Sequence, residues 1–395
     1  MNYRTLPQTD DRLIRPQNER LILDLVRRNT ELSKAQIARA SKLSAQSATV
    51  IVNRLVDEGL LMSGKAVRGK VGQPSTPYRL NPLGAASVGI KVGRRSAEIA
   101  TMALDYSIIE HRAIRYEYPD YDQLCAQLCR TAANLIEALP QKQADAIQGI
   151  GLAVPDALWS WETLIGAPAG AMAAWENANL SAPLERALGF PVQAMNDASA
   201  ACLASLRLGA GRRLSSMVYF YVGTFVGGGL TFGDQVFEGF SGNAGAIGSL
   251  PTHMRGAAAG GQLLEHASLH SLEVAMRGAG YSAESLYTGT LDPGAEEIFR
   301  RWLSGAADAL AFATLAGQAF VDPEGIVIDT SLAPQLRTQL IDAINAALGA
   351  FDQRGLRSFE VRACEVGIHA RSLGSALLPY QPQLPDQGQS SLPQT

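Results

Sequence analysis

Between residues 45 and 54 lies a run of small and hydrogen-bonding side chains that could read DNA. Ala45, Gln46, Ser47, Thr49, Asn53 and Arg54 fall outside the apolar repeat of Ala48, Ile51, Val52 and Leu55. That repeat, at three- and four-residue spacing, marks the buried face of a helix. Amides and hydroxyls on the opposite face match the donor and acceptor pattern of base edges in a major groove. Downstream, Lys65, Arg68 and Lys70 occupy a basic, Gly-containing stretch placed to lie along phosphates or in the minor groove. Lys34, at the start of the preceding helix, joins them as a candidate DNA contact.

Such residues need a scaffold, and the flanking sequence supplies one. Ser33 and Ser44 stand at N-cap positions before two helices, with Ser41-Lys42-Leu43 as the turn between them. Gly59 stands past the end of the second helix. Asn18 to Arg28 forms an amphipathic first helix. Leu60-Leu61-Met62 and the strand within GQPSTPYRLNP pair through the basic turn, making a two-stranded wing. The spacing predicts a winged helix-turn-helix over 17–82, after a flexible segment 1–16. Asn81-Pro82-Leu83-Gly84 is the hinge.

Charge agrees with this division. Residues 1–80 hold 14 Lys and Arg against 7 Asp and Glu, a balance of +7. The rest holds 20 against 30, a balance of −10, so the net of −3 hides a basic head on an acidic body. A basic head suits DNA, since phosphate neutralisation supplies most non-specific affinity. With 395 residues, 47% of them hydrophobic, the chain has room for two or three domains with full cores. Cys125, Cys129, Cys202 and Cys364 fit neither a zinc site nor a disulfide framework and read as buried, reduced thiols. With no signal peptide and no apolar run of membrane-spanning length, a cytoplasmic protein with no membrane partner is expected.

Beyond Ala85 the rhythm is that of an α/β protein. Strands are predicted at 87–92, 97–104, 108–118, 146–154 and 191–195, with helices at 121–138, 180–188 and 198–208. A second set follows: strands at 216–223, 227–232 and 325–329, helices at 262–277, 295–320 and 333–351. Three strands, a helix and a strand open an actin-like, ribonuclease-H-like lobe. The domains expected are a first lobe at 85–198, completed by a C-terminal helix at about 365–379, and a second lobe at 199–364 carrying a dimerisation surface. Residues 380–395, rich in Pro, Gln and Ser, are expected to be a disordered tail.

Four stretches, in order after the head, resemble the ROK family of repressors and sugar kinases, specifically its transcriptional regulators of the NagC/XylR type. GQPSTPYRLNP is similar to the family's wing exit and GIGLAVPD to an interior strand. FPVQAMNDASAACLA is similar to its Asn-Asp-Ala motif, and EGFSGNAGAIGSLPTH to its Gly-x-x-Gly-x-Ala-Gly-Glu-Ile-Gly-His motif. The resemblance runs from the head through residue 378. It implies a two-lobed sugar-kinase fold and a small-molecule site between the lobes. By family pattern that site would include Asn196, Asp197 and Glu265. Ala246 and Ser249 stand where the family has Glu and His.

The departures bear on activity. Where family kinases carry an acidic phosphate loop, this chain reads Lys91-Val92-Gly93-Arg94-Arg95-Ser96. Phe225 stands where a glycine would let the second phosphate loop approach its ligand. Phosphoryl transfer depends on positioning and charge neutralisation, so neither kinase activity nor a catalytic residue is expected. The family's zinc knot is absent too: the segment reads MRGAAAGGQLLEHAS, and His253, His266 and His270 lack thiolate partners. No metal or cofactor is expected. Asp197 could alternatively cap the helix at 198, and Glu265 could be a solvated residue. Trp159, Trp161 and Trp175 read as core or lobe-interface residues. The expected protein is a repressor of carbohydrate or related catabolic genes that forms a homodimer or dimer of dimers. Its partners are operator DNA and a small effector, sugar or sugar-like. With two carboxylates expected in the site, that effector should be neutral or cationic. The competing readings are a residual sugar kinase, or a regulator answering to a non-sugar metabolite or a protein.

Overall fold

Local signals assemble the head. A computed structural model describes residues 17–66, 75–177, 179–252 and 261–381. Helix α1 (Gln17–Asn29) buries Ile22, Leu23 and Val26. Strand β1 (Leu32–Ser33) leads into α2 (Lys34–Ser41), where Ser33 and Gln36 form a capping box. Ser44 caps α3 (Ala45–Asp57) by accepting from the Ser47 N–H at 3.0 Å. Gly59, at φ +75, ends it in a conformation that a side chain would strain. Strands β2 (Leu61–Ser63) and β3 (Pro77–Leu80) pair antiparallel, and β1 pairs with the other edge of β3, in the order β1-β3-β2. The wing thus has three strands rather than the expected two, because a two-residue strand carries no readable alternation. Arg68 and Lys70, and the segment expected to be flexible at 1–16, lie outside the described residues.

The body is two sheets of one topology. The first has β4 (Ala86–Val92), β5 (Ser96–Ala103), β6 (Ile108–Arg115), β7 (Ile147–Val154) and β8 (Val192–Asn196), in the order β6-β5-β4-β7-β8. Strands β4, β5 and β6 pair antiparallel with one another; β7 and β8 continue the sheet parallel to β4. Between them come α4 (Tyr121–Glu137), α5 (Gln141–Ala144), α6 (Glu162–Ile165) and α7 (Ser181–Leu188). Every residue of β4 is buried, as a strand covered on both faces must be. Helix α8 (Asp197–Leu208) then crosses to the second sheet. That sheet contains β9 (Ser216–Val222), β10 (Val226–Phe232) and β11 (Gln235–Phe237). It is reached again, after α9 (Leu263–Ala267), α10 (Leu269–Gly278), α11 (Ser285–Thr288) and α12 (Pro293–Val321), by β12 (Gly325–Thr330). Helix α13 (Pro334–Leu348) and β13 (Val361–Ala363) complete the order β11-β10-β9-β12-β13. The chain ends its described part in α14 (Ala370–Leu377) and a short 3-10 turn, Leu378–Tyr380.

Helices α8 and α14 pack together between the sheets. Their buried residues share one core with Met102 of β5 and with Tyr219 and Tyr221 of β9. The expected boundary at 198/199 therefore falls inside α8, which serves both lobes. The tail also begins later than expected. Tyr380 donates to the Met102 carbonyl at 3.1 Å and Gln381 accepts from Arg207, so these two residues belong to the fold; 382–395 lie outside the described residues. The helix expected at 262–277 is broken at Ser268, whose hydroxyl instead accepts from the Val226 N–H. Cys202 and Cys364 are buried, whereas Cys125 and Cys129 are only half-buried. Among the described residues, no helix is long and apolar enough to cross a membrane.

The head is joined to both lobes. Ala85 and Leu104 complete its core. Arg27 lies 4.0 Å over the Tyr106 ring and donates to the Leu104 carbonyl, in the turn between β5 and β6. Its neighbour Arg28 pairs at 2.7 Å with Asp234, in the turn between β10 and β11. One helix, α1, is thus held by a turn from each lobe.

Candidate functional site: a DNA-facing helix and an interlobe cleft

Helix α3 presents Ala45, Gln46, Val50 and Asn53 as exposed residues, while Ala48, Val52 and Leu55 are fully buried beneath them. Several expected contacts are already engaged. The Thr49 hydroxyl donates to the Ala45 carbonyl at 2.7 Å, and the Ser47 hydroxyl accepts from Ser44. Lys34 donates to the Asn53 side-chain oxygen at 2.5 Å and lies over the Tyr78 ring, so cation and amide share one surface. Lys65 is exposed at the wing.

Arg54 has a structural partner that the sequence reading did not give it. Its guanidinium is paired with Glu19 of α1, a carboxylate buried beneath it, and ties α3 to α1 while the side chain stays half exposed. A buried carboxylate demands a counter-charge, and Arg54 is positioned to supply it. Sequence reasoning also missed Val50. At 62% exposure, an aliphatic side chain in the middle of the outer face can meet a thymine methyl group. Its signal was present: it breaks the otherwise polar pattern of that face.

The second feature is a cleft of about 260 Å³ between the lobes. Asn196, Asp197, Ala246 and Ser249 all line it. The cap of α8 is Asn196, not Asp197: its side-chain oxygen accepts from the N–H groups of Ala198 (2.9 Å) and Ser199 (3.4 Å). Asp197 is thereby left to pair with Arg371 of α14 at 3.2 Å. Glu265 is exposed and is not part of the cleft wall. Leu263 and Ala267 are the buried positions of α9, which turns Glu265 away and puts Leu264 at the cleft instead.

Two arginines enter the cleft that sequence reasoning did not assign to it. Arg371 is held beneath Tyr221, 4.9 Å from its ring centroid. Burial works against its charge, but Tyr221, Asp197 and Glu98 together keep it firmly protonated. Arg94, in the turn between β4 and β5, lies 4.1 Å from the ring centroid of Trp161 and 4.6 Å from that of Phe225. Trp161 and Phe225 are themselves 4.4 Å apart, one from each lobe, so Trp161 is the lobe-interface residue anticipated. Trp175 is buried in the first lobe's core, and Trp159 is partly exposed. With arginines present and Glu265 absent, the expectation of a neutral or cationic ligand loses its basis.

Lys91 does not face the cleft. It is buried opposite its cross-strand partner Glu98, 3.3 Å away, and burial, with Arg371 adding, pushes its pKa down to about 8. Glu98 also accepts from Ser372 at 3.0 Å and lies near His111 (3.2 Å) and His369 (3.5 Å). Glu98, His111 and His369 bring three ligand atoms within 4.8 Å of one another. A dication there would face Lys91 directly, with Arg371 also repelling it. Of the histidines noted in the sequence, His253 lies outside the described residues and His270 stacks on Phe225.

Comparison with known proteins fits this geometry. The ROK family model matches residues 87–381, and a winged helix-turn-helix DNA-binding model matches residues 15–62. The chain belongs to the ROK family. An uncharacterized protein, y4fQ, of Sinorhizobium fredii is 24% identical over 365 residues, 92% of this chain and 90% of that protein. The xylose repressor of Bacillus spizizenii is 22% identical over 249 residues, 62% of this chain and 63% of the repressor. A crystal structure of a ROK family transcriptional regulator, described as a homolog of the E. coli MLC protein, superposes with a TM-score of 0.64. It is 19% identical and covers 92% of this chain and 96% of its own. A ROK hexokinase from Thermus thermophilus covers 75% of this chain and 98% of its own, at a TM-score of 0.54 and 24% identity. The fold is therefore a winged helix-turn-helix on an actin-like, two-lobed ROK body, an architecture whose body also serves kinases.

Proposed function

We propose that this ROK-family protein is a sequence-specific DNA-binding repressor of carbohydrate genes, controlled by a small effector in the interlobe cleft. The observation that carries the reading is the attachment of α1. Leu104 and Tyr106 of one lobe and Asp234 of the other both hold it. Any effector that binds one lobe arrangement better than another shifts the population toward it. Because α1 is held at both turns, that shift moves the head, and in a homodimer it alters the spacing of two α3 helices on their half-sites. Dimerisation, through the second lobe, is part of the proposal.

Phosphoryl transfer is not part of it. The place of the acidic phosphate loop is taken by Lys91, locked onto Glu98, and by Arg94, stacked on Trp161 and Phe225. Asp197, the one base the family motif retains, is tied to Arg371. The test is a paired titration of an operator selected from a random-sequence DNA library, with and without effector. Gln46→Ala should weaken operator binding in both arms. Asp197→Ala should bind operator but lose the effector response; a response surviving at the same effector concentration would place the site elsewhere.

A further inference from the structure

We infer that the cleft takes an anionic effector, a monosaccharide-sized polyhydroxy carboxylate such as an aldonate or uronate, with Arg94 as its counter-ion. The inference rests on the reading of the cleft as the effector site and specifies what fills it. Among the described residues no hydrogen bond or ion pair holds Arg94; its guanidinium lies over the rings of Trp161 and Phe225. Its Nε is buried without a partner, and so is the Nε of Arg371. Holding a guanidinium N–H out of water with no hydrogen-bond acceptor is costly, even with the charge of Asp197 nearby. Burial already pushes the Arg94 pKa down to about 10. A bound oxyanion removes that cost and gives Arg94 the planar acceptor its fork matches, as Asp197 already does for Arg371. Packing against this ring pair holds Arg94 in place in advance, so little entropy is lost on binding.

The charges facing the cleft select the kind of anion. Asp197 is met by Arg371. Asp156 is exposed at the rim and accepts from the Ala157 N–H. Inside the rim, Arg94 and Arg371 face Asp197 alone, whose charge also reaches Arg94, and the excess positive charge there is one that a single carboxylate balances. A phosphate monoester, at about −1.5 to −2 near neutral pH, would overshoot and face Asp197. Ser160, Asn243 and Ser249 also line the cleft and can meet hydroxyls.

The experiment is calorimetric and thermal-shift titration of the full chain with D-gluconate, D-galacturonate, D-glucose, D-galactose and D-glucose 6-phosphate, followed by operator titration with each. Gluconate or galacturonate should bind, and the matching neutral sugars should bind at least about tenfold more weakly. Arg94→Met keeps the aliphatic contact with the rings and should remove that preference; Arg94→Lys should restore part of it. Neutral sugars binding as well as carboxylates, the phosphate binding tighter than either carboxylate, or no Arg94-dependent binding of a carboxylate would each overturn the inference. If a neutral sugar shifts operator affinity equally in wild type and Arg94→Met, the inference falls while control through a small effector stands. If a carboxylate binds through Arg94 yet leaves operator affinity unchanged, the carboxylate site stands and its regulatory role falls.

Discussion

Replacing Gly374 by alanine should both destabilise the body and uncouple the cleft. Gly374 lies where α14 crosses α8. A Cβ added there would stand 1.7 Å from the Ala200 carbonyl oxygen and 2.3 Å from its carbon, where ordinary contact begins at 3.4 Å. The helices would have to separate by about 1–2 Å, as close packing leaves no slack. α14 has little room to retreat, since its far side is seated on two more glycines. A Cβ at Gly151 would be 1.8 Å from the Ser375 oxygen, and one at Gly89 would be 2.4 Å from the Ala376 nitrogen. Overpacking against backbone on both sides belongs at the upper end of the usual range, about 3 kcal/mol. The gain in helix propensity from Gly to Ala offsets about 1 kcal/mol. A net loss of about 2 kcal/mol should lower the thermal midpoint by about 4–8 °C for a unit of 150–250 residues. Three residues earlier on each helix are Arg371 and Asp197, paired at 3.2 Å, and the same separation would break that bond and blunt the effector response. Gly305→Ala is the matched control. It lies inside α12 with nothing within 4 Å of its added carbon, and should be neutral or stabilise by up to about 1 kcal/mol. Differential scanning calorimetry of both variants decides the matter: a Gly374→Ala protein as stable as Gly305→Ala, with its effector response intact, refutes the account of the α8–α14 crossing.

Other outcomes follow from the same geometry. Gln46→Ala or Asn53→Ala should cost roughly 1–3 kcal/mol at the specific site while leaving non-specific binding unchanged, as read by titration against operator and scrambled DNA. Arg54→Ala should instead lower head stability by about 1–2 kcal/mol, because it removes a counter-charge from Glu19; a thermal melt equal to wild type's would show that the tie is idle. His369 should titrate above its ordinary value, held up first by its hydrogen bond to Glu98. Its contribution to stability is full below pH 6.5 and is lost as pH rises through the folded value. NMR titration of wild type and Glu98→Gln should show that elevation disappear in the variant. Purified protein with Mg²⁺-ATP and a hexose panel should show no turnover; turnover abolished by Asp197→Asn would reinstate a kinase.

The sequence by itself determined the head's helices and most of the body's longer strands along the chain. Ser33, Ser44 and Gly59 act on backbone groups three or four residues away, so their work is visible in a linear string. The alternating Ala86, Val88, Ile90 and Val92 of β4 and the Asn196-Asp197 pair at the end of β8 are equally local. What it could not determine was helix phase and long-range company. Glu265 was misplaced because α9 is a short helix that stops at Ser268, and its phase is set by burial of Leu263 and Ala267. That α1 places Glu19 beneath Arg54 is likewise invisible in the linear string. Strands β1, β11 and β13 are two or three residues long and carry no period, so only their neighbours define them. The charge of the cleft was the largest reversal. Arg94, Trp161, Phe225 and Arg371 come from four separate parts of the chain, and each alone is an ordinary residue. Only the packing of two lobes around α8 and α14 brings two guanidiniums and two rings into one space, where burial removes the water that would otherwise have screened the charge.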